Sequence, residues 1–262
     1  MQSRLTLSTQ RASSGQTQLK DLFVTPPFKV MTLPHQGNAL EAVQMSASPG
    51  LLAGDRLRME VKLAPQTELL LRTQAYTRVQ SMNVGQWAEQ YSHIVLQKDS
   101  AFYYLPHPLV LHQDSALRQA MIVEMEADSQ FVYGEIVAIG RVLNNERFAF
   151  REFASYLRIE HQGIPLLSDR IRWVPQQIPL TALSQMEDYS HQGTFVVVDL
   201  RASEPALKEC VEQLQSRYVE LRDVMLGISL LDKGGFLVRA TAYRADVIEK
   251  LFAELLIYIR QR

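Results

Sequence analysis

Ser48-Pro49-Gly50-Leu51-Leu52-Ala53-Gly54-Asp55 runs directly into Arg56-Leu57-Arg58-Met59-Glu60-Val61-Lys62-Leu63. Pro49-Gly50 is turn chemistry, because proline presets φ and glycine accepts φ > 0. Leu51 and Leu52 are apolar residues within the turn, which predicts a loop packed inward. The residues that follow alternate. Leu57, Met59, Val61 and Leu63 fall on one face, and Arg58, Glu60 and Lys62 on the other. A period of two marks a strand with one buried face. Gly54-Asp55 therefore sets a carboxylate at the mouth of a well-defined strand. That acid reads either as a solvated hairpin Asp or as a group placed to serve a site.

The same kind of pattern extends in both directions. Arg4 to Ser8 alternates, and Leu22 to Thr25 runs into Pro26-Pro27, which must end or edge a strand because neither proline donates to a ladder. Phe28 to Met31, Leu40 to Met45 and Glu68 to Thr73 follow, the first two separated by a turn over Pro34 to Asn38. Residues 74–90 are polar without clear period and predict a long loop, the kind of segment that often carries function. Strands resume at Ser92 to Gln97, Phe102 to Leu105, Leu109 to His112, Ala120 to Glu126, Phe131 to Arg141, Phe148 to Phe153, Tyr156 to His161 and Leu166 to Trp173. No helical pattern intervenes, so an all-β body is predicted. No repeat of fixed period is present, which argues against a regular propeller.

Character changes near residue 195. Phe195 to Leu200 is a nearly continuous apolar strand. Ser203 is placed to cap a helix with Glu204-Pro205 in its first turn. Leu207, Val211, Leu214 and Tyr218 form one apolar stripe. Val224 to Leu231 and Phe236 to Thr241 flank Asp232-Lys233-Gly234-Gly235 as a hairpin, and a second helix begins near Ala245. The prediction is one mainly β domain over residues 1–262, with a β body to about 194 and a β-α-β-β-α segment from about 195.

Composition narrows the function classes. Twenty-seven basic residues against 28 acidic ones give a net charge of −1, without the basic excess of a nucleic-acid binder. The single cysteine, Cys210, rules out an internal disulfide framework and fits a reducing cytosol. MQSRLTLSTQ has no apolar h-region and no apolar run approaches the roughly 20 residues of a membrane span, so a cytoplasmic protein is expected. No phosphate loop, dinucleotide fingerprint, nucleophile elbow or first-shell zinc spacing is present. The histidines (His35, His93, His107, His112, His161, His191) are scattered and read as ordinary surface or core residues. Cys210 reads as a small core residue on the flank of its helix stripe.

Two more acids stand out. Glu135 interrupts the apolar run Phe131 to Arg141, where an unpaired carboxylate is expensive to bury; the plain expectation is an ion pair, for which Arg141 lies on the same strand face and other arginines are available. Asp169, in Pro165-Leu166-Leu167-Ser168-Asp169-Arg170, reads by itself as an exposed acid beside its neighbouring arginine.

Taken together, Phe23-Val24-Thr25-Pro26-Pro27-Phe28-Lys29-Val30-Met31, the Ser48 to Asp55 turn, Tyr133-Gly134-Glu135-Ile136-Val137-Ala138-Ile139-Gly140-Arg141 and Pro165 to Arg170 occur in the order and spacing of the urease accessory proteins called UreD, or UreH in some bacteria. The resemblance covers essentially the whole chain. It departs from the common form at the turn, where Ser48, Leu51 and Ala53 stand in place of a proline and two glycines, while Asp55 is kept. The resemblance implies a non-enzymatic maturation factor with a superhelical, mostly antiparallel β body and two helices. It implies binding to apo-urease and to UreF, which recruits the GTPase UreG, in a (UreD-UreF)2-type hetero-oligomer. It further implies that Asp55, Glu135 and Asp169 lie along a route for Ni²⁺ in transit, with no tightly bound cofactor. A conduit wants several weak stations, and carboxylate with water binds nickel more loosely than imidazole or thiolate. Two alternatives stay open: a purely structural interaction module of the urease activation complex, and a β-rich hydrolase using Glu135 and Asp169 as acid and base. Leu51-Leu52 and Phe102-Tyr103-Tyr104-Leu105, read as apolar surface, predict self-association of the isolated chain.

Overall fold

The computed structural model describes residues 1–34, 37–218, 221 and 223–262. His35 lies outside the described residues, as does part of the turn expected between Pro34 and Asn38. The first half of the chain forms β1 (Gln2–Arg11), β2 (Thr17–Val24), β3 (Phe28–Thr32), β4 (Leu40–Ser46), β5 (Arg56–Leu63), β6 (Glu68–Thr73), β7 (Thr77–Val79), β8 (Ala88–Leu96), β9 (Ala101–Leu105), β10 (Leu109–Leu111) and β11 (Ala116–Met125). The rest forms β12 (Gln130–Ala138), β13 (Glu152–His161), β14 (Ile164–Trp173), β15 (His191–Asp199), α1 (Glu204–Arg217), β16 (Val224–Leu230), β17 (Gly235–Ala242) and α2 (Ala245–Arg260). The protein is mainly β with two helices, as the alternation predicted. Among the described residues no helix is long and apolar enough to cross a membrane.

The strands build two stacked sheets. One runs β14-β13-β11-β8-β5-β1-β2, and the other β16-β17-β15-β12-β9-β6-β4-β3 with β10 and β7 alongside. The expectation of a mostly antiparallel body does not hold for the interior of either sheet. β1, β5, β8, β11 and β13 are mutually parallel, and so are β4, β6, β9 and β12. The reason is the path of the chain. From β4 to β13 it swings between the sheets, so a strand returning to a sheet has completed one coil and runs in its original direction. Antiparallel pairs are confined to β1–β2 and β13–β14 in the first sheet, and to β3–β4 and the β12–β15–β17–β16 run in the second.

One core lies between the sheets and a second lies between the second sheet and the helices. β12 is sandwiched by both, and every one of its residues is buried. That explains its continuous apolar run in place of alternation. The C-terminal quarter is integral to this arrangement, since β15 pairs with β12 along its whole length. Ser203 caps α1 by accepting from the Ala206 N–H at 3.4 Å, and Leu207, Cys210, Val211 and Leu214 are buried. α2 lies close against the sheet at Gly193, where a Cβ would come within 2.6 Å of Ile248 and 2.8 Å of Phe252. The segment expected as a long loop over residues 74–90 contains β7 and the start of β8. The apolar stretches expected at the surface are internal: Leu51 and Phe102 to Tyr104 are buried, leaving Leu52 at 46% exposure. The apolar surface on which self-association was expected is thereby reduced chiefly to Leu52, with the net charge of −1 unchanged.

Candidate functional site

The Ser48 to Asp55 turn is docked, not free. Leu51 bridges Val79 of β7 in parallel, its N–H donating to the Arg78 carbonyl at 2.7 Å while its own carbonyl accepts from Gln80 at 2.9 Å. Gly50 makes this approach possible. Its φ is +149°, and a Cβ there would stand 2.4 Å from the Arg78 oxygen. The loop so fixed delivers Asp55, which is 4% exposed, to the head of β5. Asp55 Oδ2 accepts from the Leu52 N–H and Oδ1 from the Met1 amino group, both at 2.8 Å. The solvated-hairpin reading of Asp55 is thus excluded.

Glu135 and Asp169 belong to a polar tier between the sheets. In the second sheet Glu135, Thr194 and Arg239 stand in cross-strand register on β12, β15 and β17. In the first sheet Gln90, Gln119 and Ser155 stand in register on β8, β11 and β13. Two hydrogen bonds join the sheets at this level. The Gln119 Nε2 donates to the Glu135 carboxylate, and Arg239 Nη2 donates to Asp169 Oδ1 on β14 at 2.5 Å. Arg239 Nη1 also donates to Thr194 Oγ1 at 2.5 Å.

The expected Glu135–Arg141 pair is not formed. β12 ends at Ala138, and Arg141 lies beyond it, bound to Glu146 with its Nε donating at 2.7 Å. Glu135 instead has neutral partners, the Gln119 amide and the Tyr133 hydroxyl at 3.1 Å. Burial pushes its pKa up, a rise opposed by these two hydrogen bonds and by the field of Arg239, and reinforced by Asp169. Burial, with the Glu135 charge beside it, pushes the Tyr104 phenol well above its ordinary value, out of any acid–base role near neutrality. Asp169 is neither exposed nor paired with Arg170; its side chain is 20% exposed and held by Arg239, while Arg170 stacks on Tyr156.

Two adjoining cavities open along this tier. The outer one, about 1000 Å³, is bounded by the Ser48 to Leu51 turn, Asp55, Arg78 and Arg141. The inner one, about 100 Å³, is bounded by Tyr104, Gln119, Tyr133, Glu135 and Ser155. Gln44, Thr73, Gln90 and His107 line both. Asp55 therefore belongs to the outer space and Glu135 to the inner one, whereas Asp169 lines neither and bears on Glu135 by its charge alone. Among the described residues no group of three or more His, Cys, Asp or Glu side chains is arranged to hold a metal ion. Gln44, Gln119 and Arg239 were missed from sequence, and His107 was set aside as ordinary. For Gln44 and Gln119 a signal existed: each occupies the inward phase of an otherwise apolar alternation, Leu40-Ala42-Gln44 and Leu117-Gln119-Met121.

The family model described as UreD urease accessory protein matches residues 1–262. A urease accessory protein UreD of Actinobacillus pleuropneumoniae serotype 5b (strain L20) is 55% identical over 259 residues, spanning 97% of this chain and 96% of that protein. One from Haemophilus influenzae (strain PittGG) is 50% identical over 264 residues, with 97% of each chain covered. This chain belongs to the UreD family of urease accessory proteins.

Proposed function

We propose that this protein is a scaffold of urease maturation that holds apo-urease together with UreF and, through UreF, UreG, and that Ni²⁺ passes to urease through the space between its sheets. Family membership carries the coarser half: a urease accessory protein of this kind serves urease maturation. One observation supports the finer half. Two adjoining cavities share a wall, with a buried carboxylate on each, Asp55 outside and Glu135 inside. An ion in transit needs stations that hold it weakly and are spaced apart. Single carboxylates separated by neutral amides and hydroxyls are weak stations for nickel.

Asp169 lines neither cavity and is already paired with Arg239. A hydrolase built on Glu135 and Asp169 needs both groups at one cavity, and this arrangement does not provide that. The purely structural reading has a specific observation in its favour: Asp55 and Asp169 are each already bound to a cation. The two readings separate on the isosteres Asp55→Asn, Glu135→Gln and Asp169→Asn. Co-purification with UreF and urease, whose mass also reports the stoichiometry, is expected to persist in all of them. Nickel content and activity of the recovered urease are expected to fall in the single variants and further in combination, most for Glu135→Gln. Full nickel loading by the triple variant would remove the conduit and leave the scaffold.

A further inference from the structure

The two cavities meet at a waist formed by Gln44, Thr73, Gln90 and His107 with Phe28 and Leu57. No carboxylate belongs to this set. Its hydrogen bonds decide what it offers a ligand. Thr73 Oγ1 accepts from the His107 backbone N–H at 2.8 Å and lies 3.1 Å from His107 Nδ1. With Nδ1 so engaged, Nε2 is the ring nitrogen without a hydrogen-bond partner among the described residues. Gln44 stands beside Thr73 in the parallel β4–β6 ladder, and its amide Oε1 is buried and accepts no hydrogen bond. Nearly all buried acceptors are satisfied in folded proteins, so an orphan on a cavity wall points to a missing donor or cation. His107 also lines a third cavity of about 440 Å³ against α2, which places it where three spaces converge.

We propose that His107 Nε2 and Gln44 Oε1 form a station for a divalent cation at the waist, and that this station, not the acids on either side, selects the metal. The inference rests on the conduit reading above. Carboxylates are hard ligands that hold magnesium or manganese readily, so Asp55 and Glu135 alone discriminate poorly. An imidazole nitrogen favours nickel over those ions. Thr73 is a positioning residue here: the station requires the tautomer in which Nδ1–H donates to Thr73 Oγ1 and Nε2 keeps its lone pair, the arrangement outer-shell acceptors enforce on metal-binding histidines. One imidazole and one amide, with water completing the shell, bind loosely enough to let the ion move on.

The test uses the complex co-expressed with urease and its accessory proteins and supplied with Ni²⁺ and Mn²⁺ together. Both metals are measured in the recovered urease by mass spectrometry. His107→Gln is expected to lower nickel severalfold and raise the manganese-to-nickel ratio, and Thr73→Val to do the same more weakly. Gln44→Leu is expected to lower nickel without loss of folding, since it removes an unsatisfied acceptor; it serves as the second probe should His107→Gln fail to co-purify. Glu135→Gln, run in parallel, is expected to lower nickel with the metal ratio unchanged. If Glu135→Gln lowers nickel while folded His107→Gln and Gln44→Leu leave both amount and ratio unchanged, the waist station is overturned and the conduit stands. If none of the variants changes nickel loading, both are overturned.

Discussion

Arg239 is the only cation in direct contact with the polar tier's acids among the described residues, and its removal is the most informative single perturbation of this interior. It binds Asp169 and Thr194 at 2.5 Å each, with side-chain exposures of 33% for Arg239 and 20% for Asp169. A hydrogen bond to a charged partner contributes about 1.5–3 kcal/mol, and the partial exposure of this pair places it toward the lower end. The Thr194 bond adds about 0.5–1.5 kcal/mol. Arg239→Gln is therefore expected to cost about 2–3 kcal/mol, or a fall of about 4–12 °C in Tm for a chain of this size. Asp169→Asn keeps an acceptor for the guanidinium and is expected to cost about 1 kcal/mol. Because the two residues share one contact, the double variant should lose less than the two singles together, by about 1 kcal/mol. Thermal and urea unfolding of the four proteins measure the cycle. Arg239 also lowers the Glu135 pKa, so Arg239→Gln should raise it further and weaken any cation binding that depends on the ionised carboxylate. Additive losses, or an Arg239→Gln variant as stable as the parent, would refute the pairing as an energetic unit.

Three further outcomes follow from the packing and titration of named groups. Burial raises the folded pKa of Glu135 above the usual 4.5, so its carboxylate costs stability once pH climbs past that value, increasingly until the folded pKa is passed; Glu135→Gln should have no stabilising effect in acid and a growing one as pH rises through that window, read as Tm against pH. Cys210 is buried and its thiol is pushed up by burial, so it should resist iodoacetamide in the folded protein, and Cys210→Ala should lower stability modestly with urease activation intact. Gly193→Ala drives a methyl into Ile248 and Phe252 and should cost about 1–3 kcal/mol by overpacking, seen as a lower urea midpoint; a neutral result would mean that α2 rides further from the sheet.

Much of this fold was legible, and what was not has a definite physical cause. Strand alternation around Leu57–Leu63, the Ser203 cap and the Gly234-Gly235 hairpin are local, and local chemistry determines them. Which strand lies beside which is not local. Alternation reports that one face is buried, not whether the neighbour runs with it or against it, so the parallel ladders were missed. The nearest signal in the sequence was the continuous apolar run of β12, the pattern of a strand covered on both faces. Partner assignment failed for the same reason. Arg141 was matched to Glu135 because it is near in sequence, whereas Asp169 is held by Arg239, 70 residues away and in the other sheet.

The polar tier itself follows from reading the strands by phase instead of one at a time. The inward positions of β4 and β6 are Leu40-Ala42-Gln44 and Leu69-Leu71-Thr73, and those of β12 are Phe131-Tyr133-Glu135 before Val137. Each begins apolar and turns polar toward its C-terminal end. In the first sheet β8 reads Ala88-Gln90-Ser92-Ile94-Leu96 and β13 reads Phe153-Ser155-Leu157-Ile159, polar near the N-terminal end and apolar after it. Because the chain reverses direction each time it changes sheets, a C-terminal end in one sheet meets an N-terminal end in the other. The polar residues of every coil therefore collect in one layer, although they are dispersed along the sequence. A layer of this kind is costly for an interior, since each amide, hydroxyl and carboxylate gives up water and must find a partner. Its persistence through successive coils, with cavities along it and an amide oxygen of Gln44 still unpartnered, supports the proposed passage. Replacing two of the tier's uncharged members together (Gln44→Leu, Gln90→Leu) should then raise stability or leave it unchanged while lowering nickel delivery. A marked loss of stability, with unfolding at a lower urea midpoint than the parent, would show that the layer is there for the fold.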